Sequence, residues 1–179
     1  LLASARAGNV IGGGDWSEDR LIPDLVRSIT RSQTLDVRSP SATRPWQHVL
    51  DSLSGYLCLG QKLLKGNEKF ATAWNFGPDD SGNRSVKDVL THLKKDWPTL
   101  DWRTTHPSQH LHETNLLNLD STRARQQLEW KPIWSFEESL SATAKWYKAN
   151  LDNKTVISEK QICDYSAAAK QAGLPWGCK

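Results

Sequence analysis

The sequence predicts an α/β fold. Two patterns carry that expectation. Short apolar runs of strand length recur along the chain, and several are followed by stretches whose apolar residues fall at helical spacing. The connections between them are brief and marked by Gly, Pro, Asn and Asp, as turns require.

The elements follow in order. Residues 1–11 read as a short buried strand running into a turn. Gly12, Gly13 and Gly14 with Asp15 can only be loop, because consecutive glycines gain nothing inside a regular element. Leu21, Ile22, Leu25, Val26 and Ile29 trace a helix with Pro23 tolerated in its first turn. Leu35 to Arg38 reads as a strand, Pro40 to Pro45 as a loop, and Trp46 to Leu50 as extended, with Asp51 the expected cap of the next helix. Leu53, Tyr56, Leu57, Gly60, Leu63 and Leu64 trace that helix's apolar face. Ala73 to Phe76 is a strand closed by Gly77 and Pro78. Ser85 opens a helix carrying Val86, Val89, Leu90, Leu93 and Trp97.

Asp101 to Thr105 and Thr114 to Leu119 read as strands around a His-rich loop. Asp120 to Trp130 is a short helix stopped before Pro132. Capping boxes at Ser135/Glu138 and Ser158/Gln161 open helices through about Leu151 and over 158–172. The boundary expected near 150–158 separates a main part, residues 1–150, from a helical tail, residues 151–179.

Composition narrows the function. The chain has 179 residues, with 23 Lys+Arg against 20 Asp+Glu, a formal net charge of +3. That mild, dispersed charge disfavours a nucleic-acid partner. With 37% hydrophobic and 24% charged residues the chain is globular rather than disordered. No apolar run approaches the ~20 residues that span a bilayer, so no membrane partner is expected. Cys58, Cys163 and Cys178 are too few and too scattered for a disulfide framework, which suits a reducing, cytoplasmic setting. The chain contains no Met, and it opens within an apolar segment; the expectation is a fragment of a longer protein.

Four clusters could carry chemistry. Gly8 to Gly14 sits between a strand and a helix, where a backbone can approach a phosphate or simply turn tightly. It is neither the dinucleotide fingerprint, since Ser17 stands where the third glycine would fall, nor a Walker loop. Arg44-Pro45-Trp46-Gln47-His48 offers a guanidinium suited to a bidentate phosphate contact, or a strand edge with a surface ion pair. His106, His110, His112 and Glu113 read as a polar loop, and a metal site would need a closed ligand set. Asp15, Glu18 and Asp19 suit turn hydrogen bonds better than acid–base work.

These motifs resemble a known family. Ala5-Arg6-Ala7-Gly8-Asn9-Val10-Ile11-Gly12-Gly13-Gly14-Asp15-Trp16, then Asp19-Arg20-Leu21-Ile22-Pro23-Asp24, is similar to a stretch of the CDP-glucose 4,6-dehydratases. These belong to the extended short-chain dehydrogenase/reductase superfamily. Arg44-Pro45-Trp46-Gln47-His48-Val49-Leu50, Ala73-Trp74-Asn75-Phe76-Gly77-Pro78 and Leu128-Glu129-Trp130-Lys131-Pro132 extend the likeness through about residue 150.

The resemblance implies the end of a Rossmann sheet plus a smaller α/β substrate-binding lobe. It implies NAD as cofactor, CDP-glucose or a related nucleotide sugar as substrate, and a homo-oligomer at full length. In such enzymes a hydride leaves C4 of the glucose, water is eliminated across C5 and C6, and the hydride returns to C6, on the way to deoxysugars of surface polysaccharides. The family's catalytic Tyr-x-x-x-Lys pair is not in this sequence. Tyr56, Tyr147 and Tyr165 are followed four residues on by Gly60, Leu151 and Ala169. The pair and the NAD fingerprint are therefore expected before Leu1, and the chain alone is expected to be inactive.

Carried over residue by residue, the likeness puts Asn9 and Arg44 at the sugar diphosphate. Arg20, Leu21 and Ile22 fall at the base and ribose, with Trp46 and His48 beside them. Ala7 and Gly8 border the nicotinamide. Relatives place a further phosphate-contacting Arg near 110–113, where this sequence has His110, Leu111, His112 and Glu113. The alternatives are another nucleotide-sugar dehydratase or epimerase of the superfamily, or a binding module without catalysis.

Overall fold

A computed structural model describes residues 1–105 and 117–174. The His106–Glu113 cluster, part of the strand expected at Thr114 to Leu119, and Cys178 lie outside the described residues.

The chain alternates strands and helices as the sequence predicts. Strand β1 (Ser4–Ala7) and β2 (Asn9–Ile11) are followed by α1 (Leu21–Thr30), β3 (Leu35–Val37), β4 (Thr43–His48) and α2 (Val49–Leu64). Next come β5 (Ala73–Phe76), β6 (Asn83–Ser85), α3 (Val86–Leu93) and β7 (Trp102–Thr104), then α4 (Thr122–Leu128), α5 (Phe136–Asn153) and α6 (Ser158–Gln171). Among the described residues the strands form three small sheets. β1 pairs with β5 and β3 with β7, both parallel; β2 lies parallel to β4, which pairs antiparallel with β6.

Residues 1–11 are thus two strands in two sheets. The break falls at Gly8, where a Cβ would sit 2.4 Å from the Pro45 carbonyl oxygen. Ser4, Ala5 and Arg6 of β1 are exposed, contrary to the buried strand expected, and β5 is the strand partner of β1 among the described residues. The loop expected at Pro40 to Pro45 is cut short because β4 begins at Thr43. Its first three residues pair with β6 and its last three with β2. Residues 117–119 are not strand.

Helix caps differ from expectation in two places. α2 starts at Val49, and its cap is His48, whose Nδ1 accepts from the Leu50 amide at 3.3 Å. Asp51 lies inside the first turn, fully buried. At α6, Ser158 is already helical and its Oγ accepts from Trp146 Nε1 at 2.8 Å, while Gln161 Nε2 donates to the Ala142 carbonyl at 2.7 Å. Both side chains expected to close a capping box instead fasten α6 to α5. The boxes at Ser85/Asp88 and Ser135/Glu138 do form.

Two apolar clusters hold the chain. One joins α1, β3, α3 and α5 through residues such as Leu25, Leu90, Leu140 and Trp46. The other lies beneath α2, where Leu59, Phe70, Trp74, Phe76, Leu128 and Trp130 meet. Aromatic residues bury the largest areas in such small cores, and Trp adds a donor that must be met. Trp130 Nε1 accordingly reaches Ser54 Oγ at 2.9 Å and Trp74 Nε1 the Phe70 carbonyl at 2.9 Å.

Candidate functional site

The β2–β4 register builds the site. Asn9 stands opposite Trp46, and alternation along β4 puts Arg44 and His48 on the same face as Trp46. From Arg44 to His48 the strand runs inward: Arg44 is half-buried, Trp46 and His48 buried. Gln47, on the opposite face, donates to Ser52 Oγ and to the Phe76 carbonyl, both at 2.7 Å, and so ties β4 to β5.

Two adjoining clefts open where these strands meet α1. The first, about 210 Å³, lies between Asn9 to Gly12 of β2 and its following loop, and Arg20 to Pro23 at the start of α1. The second, about 160 Å³, lies between the end of β3 and Arg44. Asn9, Asp19, Leu21 and Trp46 face both, so the two are compartments of one groove. Trp46 is a fixed wall: its Nε1 donates to the Arg84 carbonyl at 2.9 Å.

Six of the seven substrate-contact residues expected from sequence meet here. Asn9, Arg20, Leu21, Ile22 and Trp46 line the first compartment, and Arg44 the second. His48 lines neither. It is enclosed behind Gly12, with its ring 4.6 Å from that of Trp134 in an edge-to-face contact. Burial drops its pKa to about 4, so it is neutral. Ala7 and Gly8 also lie outside both compartments, at the crossing from β1 to β2.

The glycine loop serves protein packing. A Cβ on Gly13 would lie 1.9 Å from Trp146 Cγ, and one on Gly12 would lie 2.8 Å from Val49 Cγ1. Gly14, at φ +82°, turns the chain beyond them. The loop is then pinned from α5 and α1. Tyr147 Oη donates to the Asp15 carbonyl, and Arg27 donates to the carbonyls of Trp16 and Ser17, both at 2.9 Å. Asp15 Oδ1 accepts from the Ser17 amide at 2.9 Å, which holds its carboxyl below the ordinary range. That is the turn role rather than an acid–base one.

Two further residues complete the groove: Asp19, read from sequence as a turn residue, and Arg38, which was not singled out there. Asp19 sits at the junction of the compartments with φ 58°, a conformation uncommon outside glycine. Arg38 lines the second compartment from the end of β3. Its signal was available: Leu35 and Val37 alternate inward, which sends Arg38 to the other face beside a turn that returns at Arg44.

No family model matches the chain. Its fold matches that of solved nucleotide-sugar enzymes. UDP-glucuronic acid 4-epimerase from Bacillus cereus, solved with UDP-glucuronic acid and NAD, superposes with a TM-score of 0.67 and 18% identity, over 80% of this chain and 44% of that one. dTDP-glucose 4,6-dehydratase from Bacillus anthracis, solved with NAD, gives a TM-score of 0.66 and 19% identity, over 84% and 46%. The epimerase Mth375 from Methanothermobacter thermautotrophicus gives 0.70 and 24%, over 83% and 43%. The chain therefore has the α/β fold of the C-terminal part of the extended short-chain dehydrogenase/reductase enzymes.

The chain is also similar in sequence to a curated enzyme. It is 42% identical over 169 residues, 93% of its length, to CDP-glucose 4,6-dehydratase from Salmonella typhimurium. It spans about half of that relative, 47%. Among the described residues no helix is long and apolar enough to cross a membrane.

Proposed function

We propose that this chain is the nucleotide-sugar-binding portion of an NAD-dependent CDP-glucose 4,6-dehydratase. The observation that carries the proposal is convergence. Six residues chosen from motif likeness, spread from Asn9 to Trp46, line one two-compartment groove. In this reading residues 1–150 are the binding part and residues 151–179 a C-terminal tail.

The groove's chemistry is suited to the task. Leu21, Ile22 and Trp46 offer apolar walls and Arg20 a polar edge for a base and ribose, while Arg44 offers a guanidinium to an anionic link. Binding the nucleotide end at fixed donors holds the sugar in place for reaction elsewhere. Bound NAD would supply hydride transfer. This chain would border the cofactor at Ala7 and Gly8. The hydride and proton steps need groups that this sequence does not hold.

Arg44 provides the test. In the full-length protein, Arg44→Ala is expected to weaken CDP-glucose binding by about 10- to 100-fold, the range for losing a charge-assisted contact, with NAD affinity unchanged. Unchanged CDP-glucose affinity in a calorimetric titration would remove Arg44 from the site. The similarity to UDP-sugar epimerases favours a second reading, a UDP- or dTDP-sugar enzyme. Stronger protection against heat by UDP-glucose or dTDP-glucose than by CDP-glucose would establish it.

A further inference from the structure

We infer that Tyr165 of α6 is a positioning residue of the groove, and that this helix braces the glycine loop flooring the first compartment. The inference rests on the nucleotide-sugar reading of the groove. It adds to that reading a helix outside the motifs that carry the family likeness. Gly12 lines the first compartment and follows Ile11, whose register partner across the strand pair is His48. Whatever holds His48 and Gly13 therefore holds that floor.

The head of α2 is held mostly from outside its own helix. His48 caps it through one long bond, Nδ1 accepting from the Leu50 amide at 3.3 Å. Asp51, in the first turn, gives its carboxylate to partners elsewhere. Oδ1 accepts from the Ile133 amide at 2.6 Å and from Tyr165 Oη at 2.8 Å. The Trp134 ring stands between the two ends of this link, edge-to-face with His48 at 4.6 Å and with Tyr165 at 5.1 Å. A Cβ on Gly12 would lie 2.8 Å from Val49 Cγ1 and 3.7 Å from His48 Nε2, so the stack ends against the loop.

A second contact reaches the loop from the same face of α6. Ser158 and Tyr165 are seven residues apart, about two helical turns. Ser158 Oγ accepts from Trp146 Nε1 at 2.8 Å, and the Trp146 ring presses on Gly13. One helix thus braces adjacent glycines along two routes, one through α5 and one through the head of α2. A floor braced before the ligand arrives limits the ordering that binding must impose.

The test compares the full-length protein with its Tyr165→Phe, Asp51→Asn and Phe70→Leu variants. Calorimetric titrations with CDP-glucose and with NAD are run beside thermal unfolding, at a temperature where every variant is folded. Tyr165→Phe keeps the ring and removes only the hydroxyl. It is expected to weaken CDP-glucose by about 3- to 10-fold, the equivalent of one hydrogen bond, with NAD unchanged. Phe70→Leu loosens the cluster beneath α2 and lies on neither route. It should lower the unfolding temperature and leave both affinities unchanged.

A pH profile separates positioning from packing. Burial raises the Asp51 carboxyl to about 6, and a charged acceptor holds the Tyr165 hydroxyl more firmly than a neutral one. The other titratable groups against Asp51 are His48, neutral above about pH 4, Glu138 of α5 and Tyr165 itself. CDP-glucose binding by the wild type is expected to weaken by about two- to threefold from pH 7 to 5, and Asp51→Asn and Tyr165→Phe to lack that slope. Wild-type affinity and slope in Tyr165→Phe overturn the inference and leave the nucleotide-sugar reading intact. So does an equal loss of affinity in Phe70→Leu, which would make the effect one of general stability. A wild-type protein that does not bind CDP-glucose overturns both.

Discussion

The glycine loop after β2 and the outer face of α2 relate composition to contact in opposite ways. Gly13 has no side chain, yet among the described glycines it leaves the least room for a Cβ, pressed against the Trp146 ring. Leu53, Leu57 and Leu64 have large apolar side chains and are exposed, Leu57 at 74% and Leu64 at 91% of full accessibility. The buried side of α2 is instead lined by Asp51, Ser52, Ser54, Gly55 and Leu59. Tight packing is therefore set by the neighbour's shape as much as by a residue's hydrophobicity. A glycine can mark a point where a Trp from elsewhere needs room.

The strongest way to break that contrast is to add one carbon to the loop. Gly13→Ala puts a methyl inside the Trp146 ring, and neither side can yield cheaply. Trp146 is held by Ser158, and the loop by Tyr147 and Arg27. The expected destabilisation is about 3 kcal/mol or more, the upper range for overpacking a core. Thermal unfolding would measure it. A loss below about 1 kcal/mol would mean that α5 rides over the loop with slack.

Much of this fold was legible in the sequence, and the failures have physical reasons. The strands at 35–38 and 73–76 and the helices at 21, 86 and 136 were readable because periodicity and caps are local, whereas the helix at 158 forms without the capping box that pointed to it. Residues 1–11 were misread as one strand because Gly8 breaks them for the sake of Pro45, a partner 37 positions away by numbering. Asp51 was misread as a cap because its actual partners, the Ile133 amide at 2.6 Å and Tyr165 Oη at 2.8 Å, come from distant parts of the chain. In the groove, Asn9 and Arg44 were reachable through motif likeness. Arg38 stood outside those motifs; the alternation of Leu35 and Val37 gives its face of the strand, but only the turn at 39–42 brings it back toward Arg44.

The start of α2 joins the two regions and gives a pH test. Burial raises the Asp51 carboxyl to about 6 and lowers the His48 imidazole to about 4. Their ordinary values are 3.8 and 6.5, so the two titrations span nearly the same window with opposite sign. A carboxyl with a raised native pKa makes the fold lose stability as pH rises from about 4 to 6. A histidine with a lowered one makes it gain stability over about 4 to 6.5. In the wild type these slopes offset.

Asp51→Asn keeps an acceptor for Ile133 and Tyr165 and leaves the His48 slope. Its stability is expected to rise by about 2 to 3 kcal/mol from pH 4 to 6.5. His48→Gln should fall by a similar amount across the same range. Denaturant melts at each pH would check both. Parallel pH profiles for the wild type and the two variants would show that burial does not perturb these groups.

The smallest effect is the mirror image of the first. Gly60 lies in the middle of α2, and a Cβ there would meet nothing within 4 Å. No backbone strain is relieved by glycine at this position, since it is not among the residues of positive φ. Its freedom is then only an entropic burden on the helix, because the unfolded chain has more conformations to lose. Gly60→Ala is expected to stabilise the protein by about 0.5–1 kcal/mol, the helix-propensity difference with no steric term. Paired with Gly13→Ala, the same one-carbon substitution changes sign between two sites in one chain. Destabilisation by Gly60→Ala would mean that the outer face of α2 is covered in solution by another surface, close enough for a methyl group to be felt.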